Sequence, residues 1–314
     1  MCGIVGLLVK RPALRSQLGA LMLPMLIGMT ERGPDSAGLA VFTDPLDAGR
    51  RKLSVYSGMT DAGSDYDWRA LIAALAGEGP EMAAAGAGSA IAPDAVAEVK
   101  GNHAVITFSG AAAPVAVAIK AFDAKLAVLS AGRSIELYKD IGTPAQVAER
   151  YGFKSLTGSH LVGHTRMATE SAVTPDRAHP FTAGEDFCLV HNGSLSNPHL
   201  VRRKLEPLGI HFETDNDTEA ACRFLEWRLR EGDELTAALQ KGFEELDGFY
   251  TFLMGTGTEL ALIRDPFACN PAVVAETDDY IAIASEFRSL AHLPGIKEAR
   301  VFEPAPEEMY VWKA

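Results

Sequence analysis

The chain has 314 residues, 47% of them hydrophobic and 22% charged, enough to bury a core in one large domain or two small ones. A formal net charge of -12, with no basic cluster to override it, argues against a nucleic-acid partner. The N-terminus lacks the basic and apolar regions of a signal peptide, and the apolar run Leu18 to Met29 is too short to span a membrane and is broken by Pro24; a cytoplasmic chain with no membrane partner is therefore expected.

In chain order, short β-rich runs bounded by Gly, Pro or Asp predict strands at Cys2 to Val9, Ala37 to Thr43, Lys52 to Ser57, His103 to Ser109, Lys125 to Ser130, Ser159 to Arg166, Phe187 to His191, Tyr250 to Gly255, Leu260 to Arg264, Ala272 to Glu276 and Tyr280 to Ser285. Tight turns such as Gly255-Thr256-Gly257-Thr258 suit antiparallel hairpins. Helical periodicity predicts helices over Ala13 to Thr30, Trp68 to Ala76, Pro144 to Tyr151, Pro198 to Leu208, Thr218 to Arg230 and Glu234 to Leu246. The fourth starts at Asn197-Pro198, a cap with proline in the first turn, and the fifth follows Asp215-Asn216-Asp217. Gly77 to Asp94, rich in Ala, Gly and Pro, reads as a long loop or weak helix. Antiparallel sheets faced by helices give a layered α+β domain.

The four cysteines, Cys2, Cys188, Cys222 and Cys269, are too far apart for a C-x-x-C pair, and Cys188 with His191 lacks a second close ligand pair, so no metal site is expected. Cys2 stands out for its position. Read plainly, it is a small apolar residue at the start of a strand. If Met1 is removed, however, the residue carries both a thiol and a free α-amine, which titrates at about pH 8 and can accept a proton at neutral pH.

Four polar motifs end apolar runs or open a helix, where a scaffold presents functional groups: Arg32-Gly33-Pro34-Asp35-Ser36, Gly163-His164-Thr165-Arg166-Met167-Ala168-Thr169, His191-Asn192-Gly193-Ser194-Leu195-Ser196-Asn197 and Asp215-Asn216-Asp217-Thr218-Glu219. Singly, each has a structural explanation as turn, cap or surface charge. Together they meet a chemical specification. Amide cleavage by a thiol needs donors for a tetrahedral oxyanion, which an asparagine side chain beside a glycine N–H can supply. An amino-acid substrate needs a cation for its carboxylate and an anion for its ammonium, and Arg166 and Asp217 carry those charges.

With Met1-Cys2-Gly3-Ile4-Val5-Gly6 in front and Arg264-Asp265-Pro266-Phe267-Ala268-Cys269-Asn270-Pro271 behind, this ordered series resembles the signatures of class II glutamine amidotransferase domains, which are N-terminal nucleophile hydrolases. The resemblance spans Met1 to about Ser285. It implies a four-layer αββα sandwich of two antiparallel sheets and hydrolysis of L-glutamine to glutamate and ammonia. It would make Cys2 the nucleophile and its α-amine the base, with Asn192 and the Gly193 N–H as oxyanion hole. Arg166 would bind the glutamine carboxylate and Asp217 its ammonium. Arg32 and the Gly33 carbonyl would position the Cys2 terminus, and Thr169 and His179 would line the substrate pocket.

The chain departs from the family pattern at Met167, where many relatives carry an aromatic, and at Ala268-Cys269, which replaces a glycine-containing turn. The resemblance suggests one amidotransferase domain over residues 1–314, with a family-variable insertion at about 68–151 and a short tail at about 290–314. After Ser285 too little chain remains for a synthase, so a stand-alone glutaminase subunit that passes ammonia to separate synthase subunits is expected. The overall pattern is similar to the amidotransferase subunit of N-methylglutamate synthase and of glutamate synthase-like complexes. By that likeness this chain carries no cofactor, and FMN and iron–sulfur clusters sit on partner subunits. Two other readings stay open: a non-catalytic subunit that organises such a complex, and an N-terminal-cysteine acylase acting on another amide.

Overall fold

The computed structural model describes residues 2–58, 66–78, 90–167 and 174–314. Its strands are β1 (Gly3–Val9), β2 (Ser36–Phe42), β3 (Arg50–Tyr56), β4 (Val96–Lys100), β5 (His103–Ser109), β6 (Ala127–Gly132), β7 (Ile135–Ile141), β8 (His160–Arg166), β9 (Phe181–Thr182), β10 (Phe187–Leu195), β11 (Gly248–Thr256), β12 (Glu259–Arg264), β13 (Val273–Glu276), β14 (Tyr280–Ala284), β15 (Arg300–Phe302) and β16 (Met309–Lys313). Its α-helices are α1 (Leu18–Ile27), α2 (Trp68–Leu75), α3 (Ala112–Phe122), α4 (Pro144–Arg150), α5 (Pro198–Leu205), α6 (Asp217–Arg230) and α7 (Leu235–Glu245).

Period-two burial along the strands builds the layers. In β1, Ile4 and Leu8 face one way and Val5, Leu7 and Val9 the other, so both faces of the strand are buried. The first set joins Val162, Val190, Leu253, Leu262 and Ile283 in a core between two antiparallel sheets. One sheet has seven strands in the order β15-β13-β14-β1-β8-β2-β7, the other five in the order β16-β12-β11-β10-β9. The second set packs under α1 and α4 with Met22, Met25, Leu26 and Val147. On the far side of the five-stranded sheet, Phe252, Met254 and Ile263 pack under Val201, Leu205, Phe224, Leu225 and Leu239 from α5, α6 and α7. The result is the four-layer αββα sandwich.

A third sheet, β4-β5-β3-β6, lies outside this sandwich, with α2 and α3 packed on it around Leu53, Trp68, Leu71, Ile106, Phe108 and Ile119. Its strands run from Arg50 to Gly132, whereas β7 and α4, further along the chain, belong to the main sandwich.

Several local details depart from the sequence reading. Pro12–Gln17 is a 3-10 turn, so α1 begins only at Leu18. Asn197 sits at the N-cap of α5 but makes no capping bond; its amide instead donates to the Glu245 carbonyl and accepts from the Asp247 N–H, tying α5 to the end of α7. Asn216 caps α6 by accepting from the Thr218 N–H, which leaves Asp217 in the first turn with its carboxylate available for other contacts. Of the stretch Gly77 to Asp94, residues 79–89 lie outside the described residues, and the remainder is neither helix nor strand. No helix among the described residues is long and apolar enough to cross a membrane.

Candidate active site

Cys2 stands at the head of β1, between β14 and β8 in the larger sheet, half-buried and with a free thiol. Its carbonyl accepts a 2.8 Å hydrogen bond from Arg32 Nε and a 3.3 Å bond from Asn192 Nδ2. Arg32 is itself buried and held by Glu286, whose Oε1 lies 3.0 Å from Nη1. One buried cation thus links the Cys2 backbone to the segment after β14. Glu286 lies outside the sequence motifs, and nothing in its local sequence distinguishes it.

Two glycines have geometric reasons to be there. A Cβ on Gly33 would lie 2.4–2.5 Å from the backbone of Thr165 and Arg166, so only glycine lets the Arg32 segment lie against the end of β8. Gly193 has φ +135°, and a Cβ there would lie 1.9 Å from the Phe249 carbonyl oxygen. Asn192 and Gly193 therefore ride on β10 close against β11, with Asn192 paired to Thr251 and Gly193 to Tyr250.

The loop after β12 supports that edge. Asp265, fully buried, accepts from the Tyr250, Phe267 and Ala268 N–H groups, and Arg264 donates to the Pro304, Ala268 and Asn270 carbonyls. Asn270 Nδ2 then donates to the Phe249 carbonyl beside Gly193. Ala268 has φ +48°, a left-handed conformation that costs an L-residue free energy.

Arg166 ends β8, buried, with Nη1 3.4 Å from the Arg177 carbonyl. Asp217 opens α6 and accepts a 2.9 Å bond from the Leu195 N–H through Oδ2, which ties the helix start to the strand that carries Asn192. An acidic side chain in the first turn of a helix is favoured by the helix dipole. Arg32 and Asn192 both bond to Cys2, Gly33 lies against the end of β8 at Thr165 and Arg166, and Asp217 connects to the Asn192 strand through Leu195. Thr169 lies outside the described residues, as does Met1.

His179 is buried, with Nε2 2.8 Å from Thr218 Oγ1, and its ring stacks on His164 at 4.1 Å between centroids. His191 Nδ1 lies 3.1 Å from the same Thr218 oxygen, and His164 Nε2 lies 3.1 Å from the His191 carbonyl. Burial pushes the His164 imidazole down to about 3 and the His179 imidazole well below the ordinary range, and it lowers His191 against the opposing pull of Asp217. All three imidazoles are neutral at pH 7. His164, His191 and Thr218 sit inside the motifs, two residues before Arg166, one before Asn192 and one after Asp217, but composition and spacing do not reveal that they meet. Among the described residues, no three His, Cys, Asp or Glu side chains are grouped to hold a metal ion.

A family model described as a glutamine amidotransferase domain matches residues 164–292. The sequence is 46% identical over 313 residues to a glutamine amidotransferase-like protein, GlxB, of Rhizobium meliloti, covering 99% of this chain and 98% of that one. It is 34% identical over 134 residues to a glutamine–fructose-6-phosphate aminotransferase of Xylella fastidiosa, covering 43% of this chain and 22% of the relative. Among solved structures, the glutamine phosphoribosylpyrophosphate amidotransferase from B. subtilis, complexed with ADP and GMP, aligns with a TM-score of 0.59 at 18% identity, a likeness of fold alone. The alignment covers 99% of this chain but only 47% of that one, so the chain spans just under half of that enzyme.

Proposed function

This chain belongs to the class II glutamine amidotransferases, and on that premise we propose that it hydrolyses L-glutamine through a thioester on Cys2 and delivers the ammonia to a separate synthase subunit. The observation that carries the reading is the grip on the Cys2 carbonyl by Arg32 Nε and Asn192 Nδ2, which fixes the residue bearing the thiol beside the donor an oxyanion would need.

After removal of Met1, the Cys2 α-amine takes the thiol proton and Sγ attacks the side-chain amide carbon of glutamine. The charge that develops on the amide oxygen is met by Asn192 Nδ2 and the Gly193 N–H. The α-ammonium of Cys2 returns its proton to the departing nitrogen, the C–N bond breaks, and ammonia leaves a thioester. Water then attacks the thioester carbon, giving its proton to the α-amine, and glutamate and the thiol are released. Arg166 and Asp217 hold the carboxylate and ammonium of the substrate, so an amide that lacks either group loses a charge-assisted contact.

The delivery half of the proposal rests on the likeness to subunits of N-methylglutamate synthase and glutamate synthase-like complexes, in which FMN and iron–sulfur clusters would belong to the partner chains. An apolar rim supports docking beside the site: Phe249 and Phe267 are 49% and 67% exposed, their rings 5.2 Å apart, next to Gly193. The test is glutamine turnover by the wild-type and Cys2→Ala chains, each alone and with co-purified partners. Turnover that is lost on substitution and rises with partners supports the proposal. Turnover unchanged in Cys2→Ala contradicts the thioester, and full wild-type activity in isolation contradicts the need for a synthase.

A further inference from the structure

The three buried histidines behind the site carry more information than their contacts alone. Thr218 Oγ1 has two imidazole nitrogens beside it, His179 Nε2 at 2.8 Å and His191 Nδ1 at 3.1 Å, and Asp217 Oδ1 at 3.5 Å. A hydroxyl can donate only one hydrogen, and a neutral imidazole carries its proton on one nitrogen or the other. The remaining ring nitrogens, His179 Nδ1 and His191 Nε2, are buried and have no hydrogen-bond partner among the described residues.

Those orphaned atoms decide where the protons sit. Were His179 or His191 to turn a bare nitrogen toward Thr218, its N–H would be the buried group with nothing among the described residues to donate to, a rare and costly arrangement. A bare lone pair left alone is more readily tolerated. Both imidazoles therefore place their N–H on the nitrogen facing Thr218. With two donors pointing at it, the Thr218 oxygen accepts from both, and its own hydrogen is directed to Asp217 Oδ1. The second oxygen of that carboxylate is already engaged by the Leu195 N–H.

We propose that His179, His191 and Thr218 form a neutral, one-directional hydrogen-bond relay that orients the Asp217 carboxylate for the substrate ammonium and couples it to the strand carrying Asn192. Thr218, next to Asp217 on α6, and His191, next to Asn192 on β10, make the connection, while His164 Nε2–H on the His191 carbonyl ties in β8, which ends in Arg166. The three histidines and Thr218 are positioning residues; none is asked to transfer a proton. The proposal rests on the reading of Asp217 as the ammonium site.

Nitrogen-15 NMR of the imidazoles in the intact chain at neutral pH reads the relay directly. The expected result is an Nε2–H tautomer at His179 and an Nδ1–H tautomer at His191; an Nε2–H tautomer or an imidazolium at His191 overturns the proposal. This result stands whether or not the chain turns over glutamine, so a failed relay and a failed glutaminase assignment are separate outcomes. In the active enzyme, Thr218→Val keeps the shape but removes the acceptor, and it should raise KM for glutamine about tenfold with a smaller change in kcat, whereas Thr218→Ser should restore KM. An unchanged KM in Thr218→Val, or a Thr218→Ser variant as impaired as Thr218→Val, also overturns the proposal. Should Thr218→Val fail to fold, the wild-type tautomers decide alone.

Discussion

Among the described residues, two of the buried polar clusters differ in how completely they are satisfied. In the first, at the junction of the third sheet with the main sandwich, the Tyr151 hydroxyl lies between Asn102 Oδ1 and Asp140 Oδ2, at 2.6 and 2.5 Å, the Asn102 amide donates to Asp140, and Arg150 lies 2.5 Å from Asp140. His103 there has both nitrogens engaged, Nδ1 with Asn102 Oδ1 at 2.9 Å and Nε2 with the Lys139 N–H at 3.5 Å. In the second, behind Cys2, two imidazole nitrogens have no partner among the described residues. A saturated cluster fixes one sheet on another, whereas an incompletely satisfied one next to Cys2 marks groups set by the needs of the candidate site.

The contrast can be broken by substitution on either side. After the loss expected in Cys2→Ala, the largest activity effect is expected at Asn192→Ala, which removes the proposed oxyanion donor: kcat for glutamine should fall about 100- to 1,000-fold with little change in thermal stability. On the other side, Asp140→Asn strips the charge from a buried pair and should destabilise the chain by about 3 kcal/mol in denaturant unfolding while leaving the KM of the folded fraction unchanged. A large KM change in Asp140→Asn would mean that the two clusters are not separate.

Acid sharpens the same comparison. Burial holds His103 down to about 3, His160 to about 4 and His164 to about 3, so the folded chain keeps them neutral where an unfolded chain, titrating at about 6.5, takes up protons. Their stabilising contribution is complete above about pH 6.5 and is lost as pH falls toward their folded values, at a slope of roughly 1.4 kcal/mol per pH unit for each histidine. Unfolding free energy followed from pH 7 to pH 5 should drop steeply, and His103→Gln should flatten the slope by about one proton. A flat profile in the wild type would contradict neutral burial.

The smallest effect is expected at Ala268, whose φ of +48° suits glycine. Ala268→Gly should stabilise the chain by about 1 kcal/mol, read as a rise in Tm. A fall in Tm would show that the Ala268 methyl contributes more by packing than its backbone costs.

A layered α+β domain was legible because the inner strands carry clean apolar runs and the helices carry caps or periodic apolar positions, whereas the four-layer order came only from the family resemblance of the motifs. α3 escaped notice because Ala111 at its cap has no capping side chain and Pro114 stands in its first turn, so its start carries no cap signal. β4 is an exposed edge of five residues with Val96 and Val99 facing solvent, and β7 mixes Glu136, Lys139 and Asp140 into its pattern, because Glu136 pairs with Lys52, Asp140 with Arg150, and Lys139 donates to the Ala178 carbonyl rather than to solvent. At the site, the residues at turns and strand ends were legible because their chemistry is local to short motifs. The Glu286 contact to Arg32 and the convergence on Thr218 were not, since each depends on residues tens to hundreds of positions apart meeting only in the folded chain.

The central claim is that Cys2, freed at its amine, is the nucleophile. Mass analysis of the purified chain after treatment with 6-diazo-5-oxo-norleucine tests it most directly. The expected result is a chain lacking Met1 with one covalent adduct mapped to Cys2, and no adduct in Cys2→Ala. A retained Met1 in a chain that still turns over glutamine, or an adduct on Cys188, Cys222 or Cys269 instead, would contradict it.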